Sequence, residues 1–536
     1  MPCATPQPAP SSPSSPPPPP VVAGIDLGTC NSAIAIVRDG VPTLVPDPDT
    51  GGPTTPSWVA VDPASLAWRV GSAALKAAPA NPANTFPMPK RLLGRKFRGL
   101  SPADLGGGAA VVEAFDGGAE WWCPARGEAL PPEGVAGVLI AHLLSRATAV
   151  PPSSSSSSSS SCRPVTAAVI TVPARYGPAQ LKATAAAGKA AGLGSVRLVP
   201  EPVAAAVAYG IGTGAGGVAE GGGAGIVEDA TVLVIDVGGG TTDVAVVDAF
   251  EGMLEVLASA GDDHLGGGDW DASVAAWLAA QHPVAALLAG AAAAAAGDEP
   301  GVKAAAVGVA RMLGRAAGRV QAAAGSAGRG GGGGRGSTAT TSRGVWASED
   351  EEGEDLPSTS ISPVSGIGGA AALRLRGAAE AAKVALTAAE DTAVELHLVP
   401  GSPVARVALS RARFESLTAP LVGRVVDLVK KAAAEAGVEL GPSAAPDPAA
   451  PYAPPPRRVS HAILVGGGSR VPAVRAAVAA VVGFEPVASI DPEACVALGA
   501  AAMAAALAGD VAGGGGFELA DGPYAPHLHG RATGFD

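Results

Sequence analysis

The chain has 536 residues, 47% of them hydrophobic and 16% charged, with a net charge of −12. That length exceeds what one hydrophobic core holds and implies two or more domains, and the acidic balance excludes a general nucleic-acid binder. The five cysteines, Cys3, Cys30, Cys123, Cys162 and Cys495, include no CxxC pair, which sets aside a disulfide framework or a zinc ribbon and fits a reducing compartment.

Residues 1–20 are a Pro/Ser leader without Lys, Arg or an apolar segment, so neither a signal peptide nor a transit sequence is expected, and the protein is read as cytoplasmic. No run of about 18 strongly apolar residues predicts a membrane span. Val22–Val37, VAGIDLGTCNSAIAIV, reads as strand, glycine turn, strand, with Asp26 at the end of the first strand. Short strands broken by Pro and Gly follow over 42–70. The basic cluster Lys90, Arg91, Arg95, Lys96 and Arg98 reads, as a lone charge run, as a solvated helix face. An amphipathic helix is expected over 131–149, and the serines Ser153–Ser161 as a flexible insertion.

Over 165–210 the pattern is strand (Ala167–Val172), helix (about 178–191), strand (Val196–Val199) and a helix from Pro202, an α/β alternation with Glu201 at the last strand-to-helix junction. Gly212–Gly217 satisfies GxGxxG but follows a helix, and is read as a linker. Val232–Asp248, VLVIDVGGGTTDVAVVD, then repeats the first strand–turn–strand, with Asp236 in the place of Asp26. GDDHLGGGDWDASVAAWLAA and a helix follow, then mostly low-complexity sequence over 284–370. In the helix Leu373–Thr387, Glu380, Lys383 and Thr387 share one face. Strands over 392–409, a long helix over 411–436 and a Pro-rich loop over 441–456 lead to 461–483, a third strand–glycine turn–helix cradle, and a small-residue helix over 491–509.

Two related glycine turns, each with an aspartate, suit a nucleotide triphosphate held between two lobes. The turns grip phosphates through backbone N–H groups, and Asp26 and Asp236 hold a hydrated Mg2+. Gly266, Gly267, Gly268 and Gly466–Gly468 add further glycine turns, and the absence of GxxxxGK[ST] excludes a P-loop enzyme.

The stretches GIDLGTCNSAIAIV, NTFPMPKRLLGRKF, AAVITVPARYGPAQLKAT, EPVAAAVAYG, VIDVGGGTTDVAVV, GDDHLGGGDWD, AILVGGGSRVPAV and DPEACVALGAA occur in order over about 21–510. On these the chain resembles the nucleotide-binding domain of the seventy-kilodalton heat-shock (DnaK-type) chaperone family, within the actin-like ATPase superfamily. The resemblance implies a two-lobed α/β fold of duplicated ribonuclease-H-like domains with disordered low-complexity insertions. It divides the chain into the leader (1–20), lobe I (21–229, with the insertion 151–162), lobe II (230–486, with the insertion at about 284–370), a return to lobe I (487–510) and a disordered tail (511–536).

The resemblance also implies Mg-dependent ATP hydrolysis in protein folding, with ATP or ADP and Mg2+ as cofactors and K+ as a further candidate ion. Gly28, Thr29, Cys30 and Asn31 would form the first phosphate loop and Gly238, Gly239, Gly240 and Thr241 the second, Thr241 touching the γ-phosphate. Lys90 would stand near the attacking water, which Glu201 and Asp243 would orient or deprotonate. Gly466, Gly467, Ser469 and Arg470 would hold the adenosine opposite Glu380, Lys383 and Thr387. A J-domain co-chaperone and a nucleotide-exchange factor would be partners, without nucleic acid or membrane.

Some positions depart from the family pattern. Cys30 replaces a threonine, Leu181 an arginine used in J-domain coupling, Pro200 an asparagine, and Glu493–Ala494 an Asp-Glu pair, whereas Arg197 matches. No alternating pattern of sandwich length follows Val511, so no C-terminal peptide-binding domain is expected within these residues. The alternatives are a non-catalytic, nucleotide-dependent regulator of chaperone co-factors and a small-molecule kinase of the same superfamily.

Overall fold

The computed structural model describes residues 21–38, 40–101, 104, 108–149, 164–211, 230–250, 253–281, 367–398, 403–441, 457–508 and 518–519. The leader, the serine run, Gly212–Gly217, nearly all of 284–370 and the Pro-rich loop lie outside these residues.

Strands β1 (Val21–Asp26), β2 (Asn31–Arg38) and β3 (Val41–Leu44) form an antiparallel meander. Beside them lie β4 (Thr55–Pro56), β5 (Trp58–Val61), β6 (Trp68–Val70), α1 (Ser72–Ala77) and β7 (Thr85–Pro87). A three-stranded sheet of β8 (Val111–Glu113), β9 (Ala119–Cys123) and β10 (Glu128–Leu130) precedes α2 (Pro132–Ala149). Strand β11 (Val165–Val172), α3 (Pro178–Ala190), β12 (Ser195–Pro200) and α4 (Glu201–Ala208) then follow. Strand β11 pairs in parallel with both β1 and β12, giving the order β12-β11-β1-β2-β3.

The second half rebuilds this plan. Strands β13 (Ala230–Val237), β14 (Thr242–Phe250) and β15 (Met253–Asp262) form the same meander, followed by α5 (Gly267–Ala279), α6 (Ile367–Ala388), the hairpin β16 (Asp391–Leu396) and β17 (Ala405–Ser410), and α7 (Arg411–Ala436). Strand β18 (His461–Val465) pairs in parallel with β13, as β11 does with β1. Helices α8 (Pro472–Val482) and α9 (Cys495–Ala508) close the fold. In both meanders the aspartate pairs across the turn with the residue seven further on, Asp26 with Ala33 and Asp236 with Asp243. Equal loop length with equal register is the structural mark of the repeat.

These strands are near-continuous apolar runs because both sheet faces are covered. Val232, Leu233, Val234 and Ile235 are all buried, each contributing about 1.5–3 kcal/mol. One core lies under each lobe. A third lies between the two sheets, built from Val22, Val169, Val232, Val234, Ile463, α4 and α9. Helix α9 packs on β1, β2, β11 and α4. Its buried face is alanine, Ala497, Ala500, Ala501 and Ala504, and the small side chains let two helices and a sheet approach closely. Among the described residues no helix is long and apolar enough to cross a membrane.

Three local expectations change. The cluster at 90–98 is not a solvated helix face: Pro89–Arg91 and Phe97–Gly99 are short 3-10 turns, and Lys90 is buried. Such turns carry no 3.6-residue periodicity for a sequence to display. Helix α6 begins at Ile367, within the stretch read as low complexity. Inside the stretch expected as a tail, β19 (Glu518–Leu519) pairs in parallel with Met253 and Leu254, where the exposed edge of β15 offers unpaired backbone groups.

Candidate active site

The two glycine turns meet where the lobes face each other. In the first, the Ser57 hydroxyl donates to the Gly28 carbonyl at 2.9 Å and the Ser57 amide to the Cys30 carbonyl at 2.8 Å, while half-buried Thr29 and exposed Asn31 lead into β2. In the second, the Gly238 amide donates to the Thr241 carbonyl at 2.9 Å. A Cβ on Gly239 would lie 2.7 Å from both Cβ and Sγ of Cys30, so only glycine lets the turns approach this closely. Burial pushes the Cys30 thiol above its usual value despite Arg91 and Arg376, leaving a neutral side chain between the turns.

Gly266–Gly268 do a different job from the one expected. The Gly266 amide donates to Asp269 Oδ2 at 2.8 Å, the Gly267 amide to the Gly238 carbonyl at 2.9 Å, and the Gly268 amide to the Gly239 carbonyl at 2.8 Å. These amides brace the second turn from behind, so they are not placed to cradle an anion. The Arg91 guanidinium holds the same turn from lobe I, donating to the Gly240 carbonyl at 3.2 Å.

Four carboxylates and one ammonium converge between the turns. Asp26 and Asp236 are half-buried at the ends of β1 and β13, Glu201 opens α4, and Asp243 sits on β14. Lys90 Nζ lies 2.5 Å from Glu201 Oε1, with both side chains over nine-tenths buried. Burial works against the Lys90 charge, but Glu201, Tyr176 and Asp26 outweigh it and hold the ammonium firmly protonated. The carboxylates are under-compensated. Burial raises Glu201 in spite of Lys90, and raises Asp26 in spite of Lys90 and a hydrogen bond from the Thr171 hydroxyl at 3.3 Å. Asp236 rises well above the usual carboxylate range through burial reinforced by Glu201, Asp26 and Asp243. Burial and Glu201 push Asp243 up to about 6, against the pull of Arg175.

That imbalance is the test of fit for a divalent cation. One buried ammonium, with the half-exposed Arg175 guanidinium on Asp243, faces four carboxylates, so a further positive charge is favoured there. Among the described residues no three His, Cys, Asp or Glu groups are placed to ligate an ion directly. The cleft carboxylates Asp26 and Asp236 offer oxygen donors, which fit a hard cation such as Mg2+.

On the far side of the cleft, Lys383 reaches the first turn of α5 from α6, 2.7 Å from Asp271 Oδ1 and donating to the Gly267 carbonyl at 3.1 Å. Glu380 and Thr387 are exposed on the same helix, the Thr387 hydroxyl donating to the Lys383 carbonyl. Gly466 adopts φ +77°, which glycine tolerates, and the Ser469 hydroxyl donates to its carbonyl at 2.7 Å. Arg470 is half-exposed and held by Asp491 at 2.5 Å and Glu493 at 3.7 Å. A side chain on Gly467 would meet Glu493. The fold thus brings the Gly28–Asn31 and Gly238–Thr241 turns, Lys90, Glu201 and Lys383 to one cleft.

Sequence reasoning missed Arg175, Tyr176, Arg91, Arg376 and Asp271. Arg175 bridges Asp243 and Asp263, the Tyr176 hydroxyl donates to the Lys90 carbonyl at 3.4 Å, and Arg376 lies against Gly268. The only sequence signal for Arg175 and Tyr176 was their place just past an α/β strand end. Leu181, flagged for J-domain coupling, is buried in the lobe I core.

A family model described as Hsp70 protein matches residues 22–286 and 368–521. The chain is 31% identical over 494 residues to heat shock 70 kDa protein 6, chloroplastic, of Arabidopsis thaliana, covering 91% of this chain and 53% of that protein. It is 31% identical to the chaperone protein DnaK of Thermus thermophilus, covering 91% and 61%, and 31% identical to that of Deinococcus radiodurans, covering 91% and 60%. The chain therefore spans between about half and three fifths of the length of these curated relatives.

Proposed function

The chain belongs to the Hsp70 protein family, and from that premise we propose that its cleft binds ATP with Mg2+ and hydrolyses it, in a chaperone acting in protein folding. The observation that carries the reading is the buried Lys90–Glu201 pair set among Asp26, Asp236 and Asp243 between two glycine turns. Catalysis is positioning and charge neutralisation of a phosphoryl transfer, with little covalent chemistry asked of the protein.

In this reading the amides and Thr241 hydroxyl of the two turns orient the phosphates. Asp26 and Asp236 would hold a hydrated Mg2+, whose charge would neutralise the bound phosphates. The Lys90 ammonium, kept protonated by its carboxylate neighbours, fixes the attacking water and compensates developing charge. Asp243, at about 6, is largely ionised at neutral pH and close enough to neutrality to accept the water's proton. Glu201 holds Lys90 in place. Arg470, half-exposed and paired with Asp491, stacks on the adenine, opposite Lys383. A J-domain co-chaperone and a nucleotide-exchange factor are the proposed partners, and the cytoplasm the proposed compartment.

Single-turnover hydrolysis of ATP with Mg2+ tests the reading. Wild type is expected to turn over, and Lys90→Ala to fall by about a hundredfold or more. Wild-type hydrolysis at the uncatalysed background would sink it.

A further inference from the structure

We propose that Arg175 is a positioning residue for hydrolysis: a guanidinium from the first lobe that holds the Asp243 carboxylate of the second in its working orientation. The inference deepens the ATPase reading and rests on it. Arg175 lies in the short loop between β11 and α3. Its Nε donates to Asp243 Oδ1 at 3.1 Å, and its Nη2 donates to Asp263 Oδ1 at 2.7 Å. The fork thus spans two carboxylates of the opposite lobe, one on β14 and one in the turn that follows β15.

The surroundings are shaped for this contact. Asp243 pairs in register with Gly261, and a Cβ on Gly261 would lie 2.6 Å from both Nε and Nη2 of Arg175. A side chain there would push the guanidinium off its acceptors. The next residue, Tyr176, reaches the Lys90 carbonyl with its hydroxyl, so one loop touches both the segment carrying Lys90 and the carboxylate placed to take a proton. The Arg175 side chain is 33% exposed, which puts the bridge at the wet wall of the cleft and outside the cores. A planar fork that fixes two acceptors at set angles is not reproduced by the point charge of lysine. With Arg175 engaged on Oδ1, the Asp243 carboxyl plane is held against rotation.

The test is kcat and KM for MgATP hydrolysis, with melting temperature, in wild type, Arg175→Ala, Arg175→Lys, Asp243→Asn and the Arg175→Ala/Asp243→Asn double variant. Arg175→Ala is expected to lose about tenfold or more in kcat, with KM changed less than about threefold. Arg175→Lys is expected to recover only a minor part of the loss. The double variant is expected to be no slower than Asp243→Asn alone, because the two residues act as a unit. Should Arg175→Ala not fold, Arg175→Gln, which keeps the stem and drops the charge, carries the same expectation. A kcat within about twofold of wild type in these variants overturns the proposal. So does a loss confined to KM and melting temperature, or losses in the double variant that simply multiply. A wild type that binds MgATP without turning it over overturns the ATPase reading and this inference together, and is told apart by the wild-type measurement alone.

Discussion

Two buried ion pairs in the first lobe use similar chemistry to opposite ends. Asp47 and Arg146, 3.5 Å apart with side chains 2% and 8% exposed, sit among local hydrogen bonds, although the buried Arg146 Nε has no partner. Asp47 accepts from the Asp49 and Thr50 amides at 2.9 and 3.1 Å and from the Thr55 hydroxyl at 2.6 Å. Burial alone would raise its carboxyl, yet these bonds and Arg146 carry it below the usual value. Burial lowers Arg146 despite Asp47, but a guanidinium stays charged. Lys90 and Glu201 are as buried and closer, yet Glu201 and its neighbours Asp26, Asp236 and Asp243 are all raised. In the first pair the carboxylate is compensated within the protein. In the second the carboxylates outnumber their cationic partners, as the proposed binding of Mg2+ requires.

The largest effect that separates the two should come from breaking each pair. Lys90→Ala is expected to lower hydrolysis by about a hundredfold or more, whereas Asp47→Ala should cost about 3 kcal/mol of stability with kcat per folded molecule unchanged, read by denaturant unfolding and single-turnover assay. Equal rate losses in both variants would erase the distinction. The pH dependence should differ in sign. Asp243 is raised to about 6, so its ionised form weakens the ligand-free fold at neutral pH, and stability rises as pH falls through about 6 toward its unfolded value near 4. Asp47 is lowered, so its contribution is full above that unfolded value and is lost as pH falls through its folded value. Unfolding titrations should show Asp243→Asn flattening the slope between about pH 6 and 4, with Asp47→Asn altering only the more acidic limb. The smallest effect is expected at the first turn. Because Cys30 is a neutral spacer against Gly239, Cys30→Thr should change the hydrolysis rate by less than about threefold.

The comparison also explains what was legible in the sequence. The strand–turn–strand units around Asp26 and Asp236 were, because buried strands leave continuous apolar runs and a turn that two backbones approach must keep its glycines. The parallel crossovers from β1 to β11 and from β13 to β18 followed from the α/β alternation. From residue pattern alone, Lys90 looked like one charge in a solvated run. Its partner Glu201 stands 111 residues away, and the 3-10 turn that aims it has no periodicity to read. Arg175 and its acceptors were invisible for the same reason: three elements supply them and only the folded sheet brings them together. Gly266–Gly268 misled in the opposite direction. A glycine run is equally suited to presenting amides to an anion and to burying them on another turn, and here the amides are buried.

The most direct test of the under-compensated cleft is thermal unfolding of wild type and Asp236→Asn, each with and without MgATP. Removing a buried carboxyl crowded by Glu201, Asp26 and Asp243 should make ligand-free Asp236→Asn more stable than wild type, while MgATP should stabilise wild type strongly and the variant far less. A variant that is less stable than wild type without ligand and gains as much from MgATP would contradict the account.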